Sequence, residues 1–277
     1  MSHDSFVDHA RFRWLKGAAL LCIACAIAYV WHEPPIRPYG GTWLGYTLGT
    51  IGGLLILWLL WFGIRKRRYA RRSASLRGWL SAHVYLGVAV VVIATLHTGF
   101  ELGWNIHGLA YVLMVLTVAS GLVGVYFYAT VPALMTSNRG QDTLDAMLLK
   151  ISDLDRNIAH KALSLPDELL ALVNDAVHKT RLGGSFGRIL SGRDPNCPTA
   201  RAIRVMPEAG KSLQDEIAHV DHEVYAMLLR KQELLTRARR DMRFKALMEI
   251  WLFFHVPLSL ALLAALLAHV VSVFVYW

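Results

Sequence analysis

Two stretches of the sequence decide the fold class: residues 79–100 read WLSAHVYLGVAVVVIATLHTGF, and residues 247–277 read LMEIWLFFHVPLSLALLAALLAHVVSVFVYW. Each is long enough to cross a bilayer as a helix, which takes about 20 consecutive apolar residues. Glu249 is the only Asp, Glu, Lys or Arg in either stretch, yet each stretch contains two histidines. Because an ionisable residue inside a membrane is energetically costly, it usually serves a function. The two stretches therefore predict membrane helices that carry functional histidines.

Three further apolar stretches of similar length lie elsewhere in the chain, at Trp14–Trp31, Thr42–Ile64 and Ile106–Leu134. Together with Trp79–Phe100 and Leu247–Trp277 they make five candidate spans. The composition agrees, since 55% of the 277 residues are hydrophobic and 18% are charged, against about 25% charged residues in soluble domains. We predict an all-α membrane protein with five transmembrane helices. An ordinary soluble globular domain is excluded.

A long polar segment separates the fourth span from the fifth. We predict residues 1–134 as transmembrane spans one to four, residues 135–246 as a cytoplasmic helical insertion, and residues 247–277 as span five. The insertion is expected to be a small helical hairpin whose last helix continues into span five, because no Pro or Gly interrupts that connection. Apolar residues recur at helical spacing in three parts of the insertion, which predicts helices at 141–161, 165–179 and 211–243. Residues 182–198, which contain Gly and Pro, lie between the second and third of these helices and are predicted to form a loop.

Lysine and arginine are distributed unevenly among the loops, and this distribution predicts the orientation. Of the 29 basic residues, Arg11, Arg13 and Lys16 lie before or at the start of the first span, seven lie in residues 65–77 and 18 lie in Val131–Met248, whereas only Arg37 falls in a loop on the opposite side. Cytoplasmic loops carry the excess of Lys and Arg. We therefore expect a multi-pass protein of the cell inner (cytoplasmic) membrane, with its N-terminus in the cytoplasm and its C-terminus outside. The net charge of +9 reflects this topology, and no nucleic-acid partner is expected.

The four histidines of spans three and five repeat one spacing. His83 and His97 are 14 residues apart, and so are His255 and His269. Fourteen residues fall about 40° short of four helical turns and rise about 21 Å, so both members of a pair lie on one face of their helix. The two spans run in the same direction in the predicted topology. His83 and His255 are therefore expected near the cytoplasmic face, and His97 and His269 near the outer face.

Two imidazoles at each of two depths match the axial ligands that two haem irons require. We predict that the inner pair, His83 and His255, and the outer pair, His97 and His269, are the metal ligands of two b-type haems. A single intramembrane histidine often only hydrogen-bonds a neighbouring helix. The repeated spacing on two separate helices favours ligation. A proton relay is disfavoured, because almost no acidic residue lies within the spans.

This pattern resembles the di-haem transmembrane cytochromes b. It is similar to the four-helix haem bundle of cytochrome b in bc complexes and to the membrane domain of ferric reductases and NADPH oxidases, in which two helices each supply two histidines at this spacing. The resemblance covers residues 42–100, 106–134 and 247–277 and implies a four-helix di-haem bundle formed by spans two to five. The Pro-Glu-Trp-Tyr motif of bc complexes is absent, since Pro207-Glu208 continues with Ala-Gly. No flavin or nicotinamide domain follows span five, so redox partner proteins are expected.

Glycines in spans two and four accompany the histidines. Gly49 and Gly63 are also 14 residues apart, and Gly121 and Gly124 lie in the cytoplasmic half of span four. A macrocycle between helices needs a close approach of the backbone, which small residues permit. These glycines are therefore candidates to face the haems. Ordinary small-residue packing between helices is the alternative for the run Gly45–Gly53.

The predicted function is transmembrane electron transfer through two haems, in the membrane cytochrome b subunit of a respiratory or reductase complex. An electron-transfer subunit is favoured over a stand-alone enzyme, and no catalytic residue is assigned. One alternative is a quinol-linked oxidoreductase with a quinone site near one haem, where His107, Glu101 or Arg37 at the outer mouth handles protons. An alternative of another class is a non-redox membrane scaffold or transporter whose histidines only pack. A haem assay on the purified protein separates these classes.

Overall fold

The computed structural model describes residues 9–34, 39–68, 76–139, 142–209 and 215–275. These residues form helices and connecting loops, with no strand anywhere in the described ranges, which confirms the all-α prediction. In chain order the helices are α1 (His9–Trp31), α2 (Trp43–Arg68), α3 (Leu76–Thr98), α4 (Ile106–Arg139), α5 (Leu144–Ala162), α6 (Asp167–His178), α7 (Phe186–Ser191), α8 (Pro198–Ala209) and α9 (Asp215–Val275).

Five of these helices, α1, α2, α3, α4 and α9, are long enough and apolar enough to cross a membrane. This confirms the five predicted spans and identifies the chain as a multi-pass membrane protein whose apolar helices contact lipid. Their bounds lie close to the predicted ones. Helix α3 ends at Thr98 rather than Phe100, because Gly99 (φ 63°) and Phe100 (φ 65°) adopt the left-handed conformation that commonly terminates a helix.

The chain forms two compact units. The membrane unit comprises Met1–Ala129 and Trp251–Trp277, and the helical unit comprises Thr130–Ile250. Helices α4 and α9 belong partly to each unit. The 61-residue α9 is continuous through the end of the helical unit into the fifth span, as the absence of Pro and Gly before that span predicted.

The first span packs within the membrane unit, where α1 lies against α3 and α2. Five buried residues form the core between them: Cys25 of α1, Leu44 and Leu48 of α2, and Ile93 and Leu96 of α3. Burial of this apolar surface joins the first span to the helices that carry histidines. Cys25 therefore has a packing role, and it is a free thiol.

A second core cluster joins the other four spans. One residue from each meets there: Ile56 of α2, Val90 of α3, Met114 of α4 and Leu262 of α9. All four side chains are at most 8% exposed. Spans two to five therefore share one apolar layer, which we call the central layer.

The helical unit is more elaborate than the predicted hairpin. Its main core is formed by apolar side chains of α5, α6, α8 and the first part of α9, among them Ile158, Val173, Met206 and Leu228. Helix α7 lies within residues 182–198, which were expected to be a loop. That expectation was wrong because Ile189 and Leu190 are partly buried by a single helical turn, which ends at Gly192 in the left-handed conformation (φ 64°).

Lys231 is the largest fully buried side chain in the described part of the helical unit and is 1% exposed. Its ammonium donates to Asp155 Oδ1 at 2.5 Å and to the carbonyl of Ala176 at 2.7 Å, so it connects α9 to α5 and α6. Burial raises the pKa of the Asp155 carboxyl, although the hydrogen bond and charge of Lys231 oppose that shift. A buried ammonium is tolerated here because two acceptors satisfy it.

Candidate cofactor site

The central layer divides the histidines of the membrane unit into two groups. Val90 lies seven residues from both His83 and His97, and Leu262 lies seven residues from both His255 and His269. Each histidine is therefore about 10 Å along its helix from the layer, on one side or the other. We call His97 and His269 the His97 level, and His83 and His255 the His83 level.

The structure brings the two predicted histidines of the His97 level together. The ring centroids of His97 and His269 are 6.1 Å apart and the ring planes are nearly perpendicular, at 89°. One ring comes from the end of α3 and the other from α9. This level therefore presents two imidazoles from different helices to one place, as the spacing predicted.

His97 lies in a cradle of glycines at the start of α2. Its Nδ1–H donates to the carbonyl of Gly45 at 2.7 Å, which leaves the lone pair on Nε2. A Cβ atom on Gly49 would lie 2.7 Å from His97 Cε1, and one on Gly40 would lie 3.3 Å from it. Both positions are thus close to the ring. Gly49, a candidate to face a haem, lies here against the ring of His97.

His269 has a second histidine partner that the sequence did not reveal. The rings of His107 and His269 are 4.6 Å apart and perpendicular, and their Nδ1 atoms are hydrogen-bonded. In the sequence, His107 is a candidate only for handling protons at the outer mouth, in the quinone-site alternative. The structure instead attaches it to a predicted ligand. The sequence feature that could have indicated this contact is the position of His107 in the first turn of α4, at the same end of the bundle as His97 and His269.

The His83 level is built differently. His83 packs against the ring of Phe62, with centroids 5.0 Å apart, and its Nδ1 is buried without a hydrogen-bond partner. His83 is also hydrogen-bonded to the backbone carbonyl of Leu59 on α2. No ring contact joins His83 and His255 in the described part of the chain. The structure thus places the pair at one level without bringing the rings into contact.

Helix α4 and an indole hold His255. Its ring stacks on Trp251 at 5.2 Å, and its Nδ1 lies 3.3 Å from Ser120 Oγ. The indole N–H of Trp251 donates to the Ser120 carbonyl at 2.7 Å. A Cβ on Gly121 would lie 3.7 Å from His255 Cε1, and one on Gly124 would lie 2.1 Å from the indole. Glycine at 124 is therefore what lets Trp251 approach α4 and support His255.

The remaining sequence candidates lie elsewhere. Nothing lies within 4 Å of a Cβ placed on Gly63, so the glycine pair of span two does not repeat at both levels. Glu101 is exposed in the loop that follows α3. Arg37 lies outside the described residues.

Three imidazoles, those of His97, His269 and His107, gather at the His97 level, whereas the His83 level has two. Among the residues that the structure describes, no three His, Cys, Asp or Glu side chains are arranged to hold one metal ion. A structural zinc site needs four such ligands. Two ligands per level suit a metal whose other positions are filled by a macrocycle.

The chain matches no protein-family model, no curated protein and no solved structure.

Proposed function

We propose that the protein transfers electrons across the membrane through two b-type haems, one held by His83 and His255 and the other by His97 and His269. The observation that carries this proposal is the arrangement of four imidazoles in pairs on either side of the central layer. Two co-directional helices, α3 and α9, supply all four. The proposal makes the chain a di-haem cytochrome b.

The separation at the His97 level supports ligation of a single iron. Two metal–nitrogen bonds of about 2 Å and two ring radii of about 1.1 Å add to about 6 Å between ring centroids. The centroids of His97 and His269 are 6.1 Å apart. His97 and His269 are thus close enough that the two rings would hold one ion between them.

Hydrogen bonding at His97 also supports the proposal. A metal-bound histidine almost always donates its other ring N–H to a carbonyl, carboxylate or water, which fixes the tautomer and the ring orientation. The Gly45 carbonyl accepts from Nδ1 of His97, so Nε2 is the nitrogen prepared to bind a metal. At the other level, the buried Nδ1 of His83 has no partner, and a buried unsatisfied group calls for an explanation. Ligation supplies one.

Bound haem supplies one-electron chemistry, and the protein supplies ligation, orientation and a dry environment. The central layer of Ile56, Val90, Met114 and Leu262 excludes water between the levels. The levels are about 21 Å apart along the helices, which is most of a hydrocarbon core about 30 Å thick. The pair of haems would thus connect the two membrane surfaces.

The distribution of Lys and Arg places the His83 level on the cytoplasmic side in this proposal, and the His97 level on the outer side. We infer a subunit of a respiratory or reductase complex, with protein donors and acceptors at the two faces. The helical unit is the candidate docking surface on the cytoplasmic side. Its exposed ion pairs, such as Lys150 with Asp142 and Arg230 with Glu233, give it the polar surface such a contact needs.

The test is the haem content and absorption spectrum of the full-length protein, purified in detergent. We expect about two b-type haems per chain, and sharp α-bands on reduction. His219→Ala is the control, because His219 is an exposed histidine of the helical unit. Colourless protein, or unchanged haem content when His97 and His83 are both replaced by alanine, contradicts the proposal and supports a membrane scaffold or transporter.

A further inference from the structure

We infer that His107 is a positioning residue that orients His269 for iron and holds its ring in one tautomer. This inference rests on the proposed haem ligation and extends it to a residue outside the four ligands.

The direction of the hydrogen bond follows from ligand chemistry. If His269 binds iron through Nε2, its proton must be on Nδ1. The Nδ1 of His107 then accepts that proton in the hydrogen bond between the two rings, and His107 carries its own proton on Nε2. Each residue is thus restricted to one tautomer. The perpendicular packing of the rings, at 89°, limits rotation of His269 as well.

The backbone around His107 is itself fixed. Asn105 caps the start of α4, because its Oδ1 accepts from the N–H of Gly108 at 3.0 Å. A Cβ on Gly108 would lie 2.0 Å from the carbonyl oxygen of Gly103, so the turn requires glycine at this position. The Asn105 cap and the turn at Gly108 together fix the direction in which the His107 side chain projects from α4. A positioning residue needs such support.

With His107, both predicted ligands of the His97 level have a hydrogen-bond acceptor at Nδ1. The Gly45 carbonyl accepts from Nδ1 of His97, and the His107 imidazole accepts from Nδ1 of His269. Both predicted ligands of this level thus have a strong acceptor behind them. One acceptor comes from α2 and the other from α4. Each of these two helices carries no predicted ligand itself but supports one. An acceptor on Nδ1 makes an imidazole more basic, which favours the ferric state of the iron.

The experiment compares the full-length protein with His107→Ala, His107→Gln and the control His219→Ala. Haem content, the electron paramagnetic resonance spectrum of the ferric protein and a redox titration are measured for each. We expect His107→Ala to keep both haems low-spin but to weaken the ferric preference of one haem about tenfold, a rise of about 59 mV in its potential. His107→Gln should restore part of the shift, since its amide oxygen can accept the hydrogen bond.

Two results overturn the inference while electron transfer through two haems stands; the second needs His269→Ala as a further variant. In the first, His107→Ala leaves both potentials and both resonance spectra unchanged. In the second, His107→Ala loses a low-spin haem that His269→Ala retains, which makes His107 the ligand and His269 its support. Wild-type protein without haem overturns the proposed function first and this inference with it, and it is recognised before any variant is made.

Discussion

The two histidine levels differ in what supports their imidazoles. At the His97 level, the Nδ1 atoms of His97 and His269 are hydrogen-bonded to a backbone carbonyl and to another imidazole. At the His83 level, the backbone carbonyl of Leu59 is hydrogen-bonded to His83 although the Nδ1 of His83 has no partner, and His255 has only a hydroxyl oxygen at 3.3 Å. Aromatic rings, Phe62 and Trp251, also support this level.

This difference indicates that the two sites are not electronically equivalent. Stronger acceptors on the ligand histidines raise ligand basicity and stabilise ferric iron, which lowers the reduction potential. We therefore expect the haem at the His97 level to have the lower potential. Under the proposed function, an electron would then reside mainly on the haem of higher potential, at the His83 level.

Removing one ligand at each level is the strongest test of this comparison. We expect His97→Ala and His83→Ala each to lose about half of the haem, because one axial ligand of one pair is gone. The haem that remains in His97→Ala should titrate at a higher potential than the one that remains in His83→Ala. Haem assays and redox titrations measure both effects. Equal potentials in the two variants would contradict the inferred difference between the levels.

Filling the glycine cradle should have the next largest effect. In Gly49→Ala, the new Cβ would lie 2.7 Å from His97 Cε1, so the ring must leave its hydrogen bond with the Gly45 carbonyl. We expect partial loss of the haem at the His97 level and a raised potential in the fraction that stays. Gly17→Ala in α1 is the matched control, since nothing lies within 4 Å of that position. An unchanged spectrum in Gly49→Ala would show that the cradle has no part in ligation.

Trp251→Phe tests the aromatic support of the other level. It keeps a ring beside His255 but removes the hydrogen bond from the indole to the Ser120 carbonyl. In the His97→Ala background, where one haem remains, we expect its potential to move by tens of millivolts with little loss of haem, an order of magnitude typical of changes around an axial ligand. Trp43→Phe, which alters an indole packed on His32, is the control. Complete loss of haem would contradict this prediction and would show that the indole is required to position His255.

Ser120→Ala should have the smallest effect. The distance of 3.3 Å from Ser120 Oγ to His255 Nδ1 is at the long end for a hydrogen bond, so its removal costs little. In the same background we expect a shift on the order of 10 mV, smaller than that of Trp251→Phe. A larger shift would show that the His83 level depends on hydrogen bonding as the His97 level does. Redox titration of the two variants side by side decides this.

Much of the site could be predicted from the linear pattern, because helical periodicity is local. The 14-residue spacing placed each pair on one face of a helix, and His97 and His269 do meet. The partner of His269 could not be predicted, since the distance between His107 and His269 along the chain is 162 residues and no spacing rule connects them. The same holds for Lys231 and Asp155, whose pairing depends on how three helices pack.

The sequence by itself determined the five apolar helices and the position of each histidine along its helix, because hydropathy and a rise of about 1.5 Å per residue act along a single segment. Only the tertiary structure decided which groups surround each imidazole. The Gly45 carbonyl, the ring of His107 and the hydroxyl of Ser120 reach their histidines from other helices. The sequence repeats one spacing at two levels, and packing between helices makes the levels different.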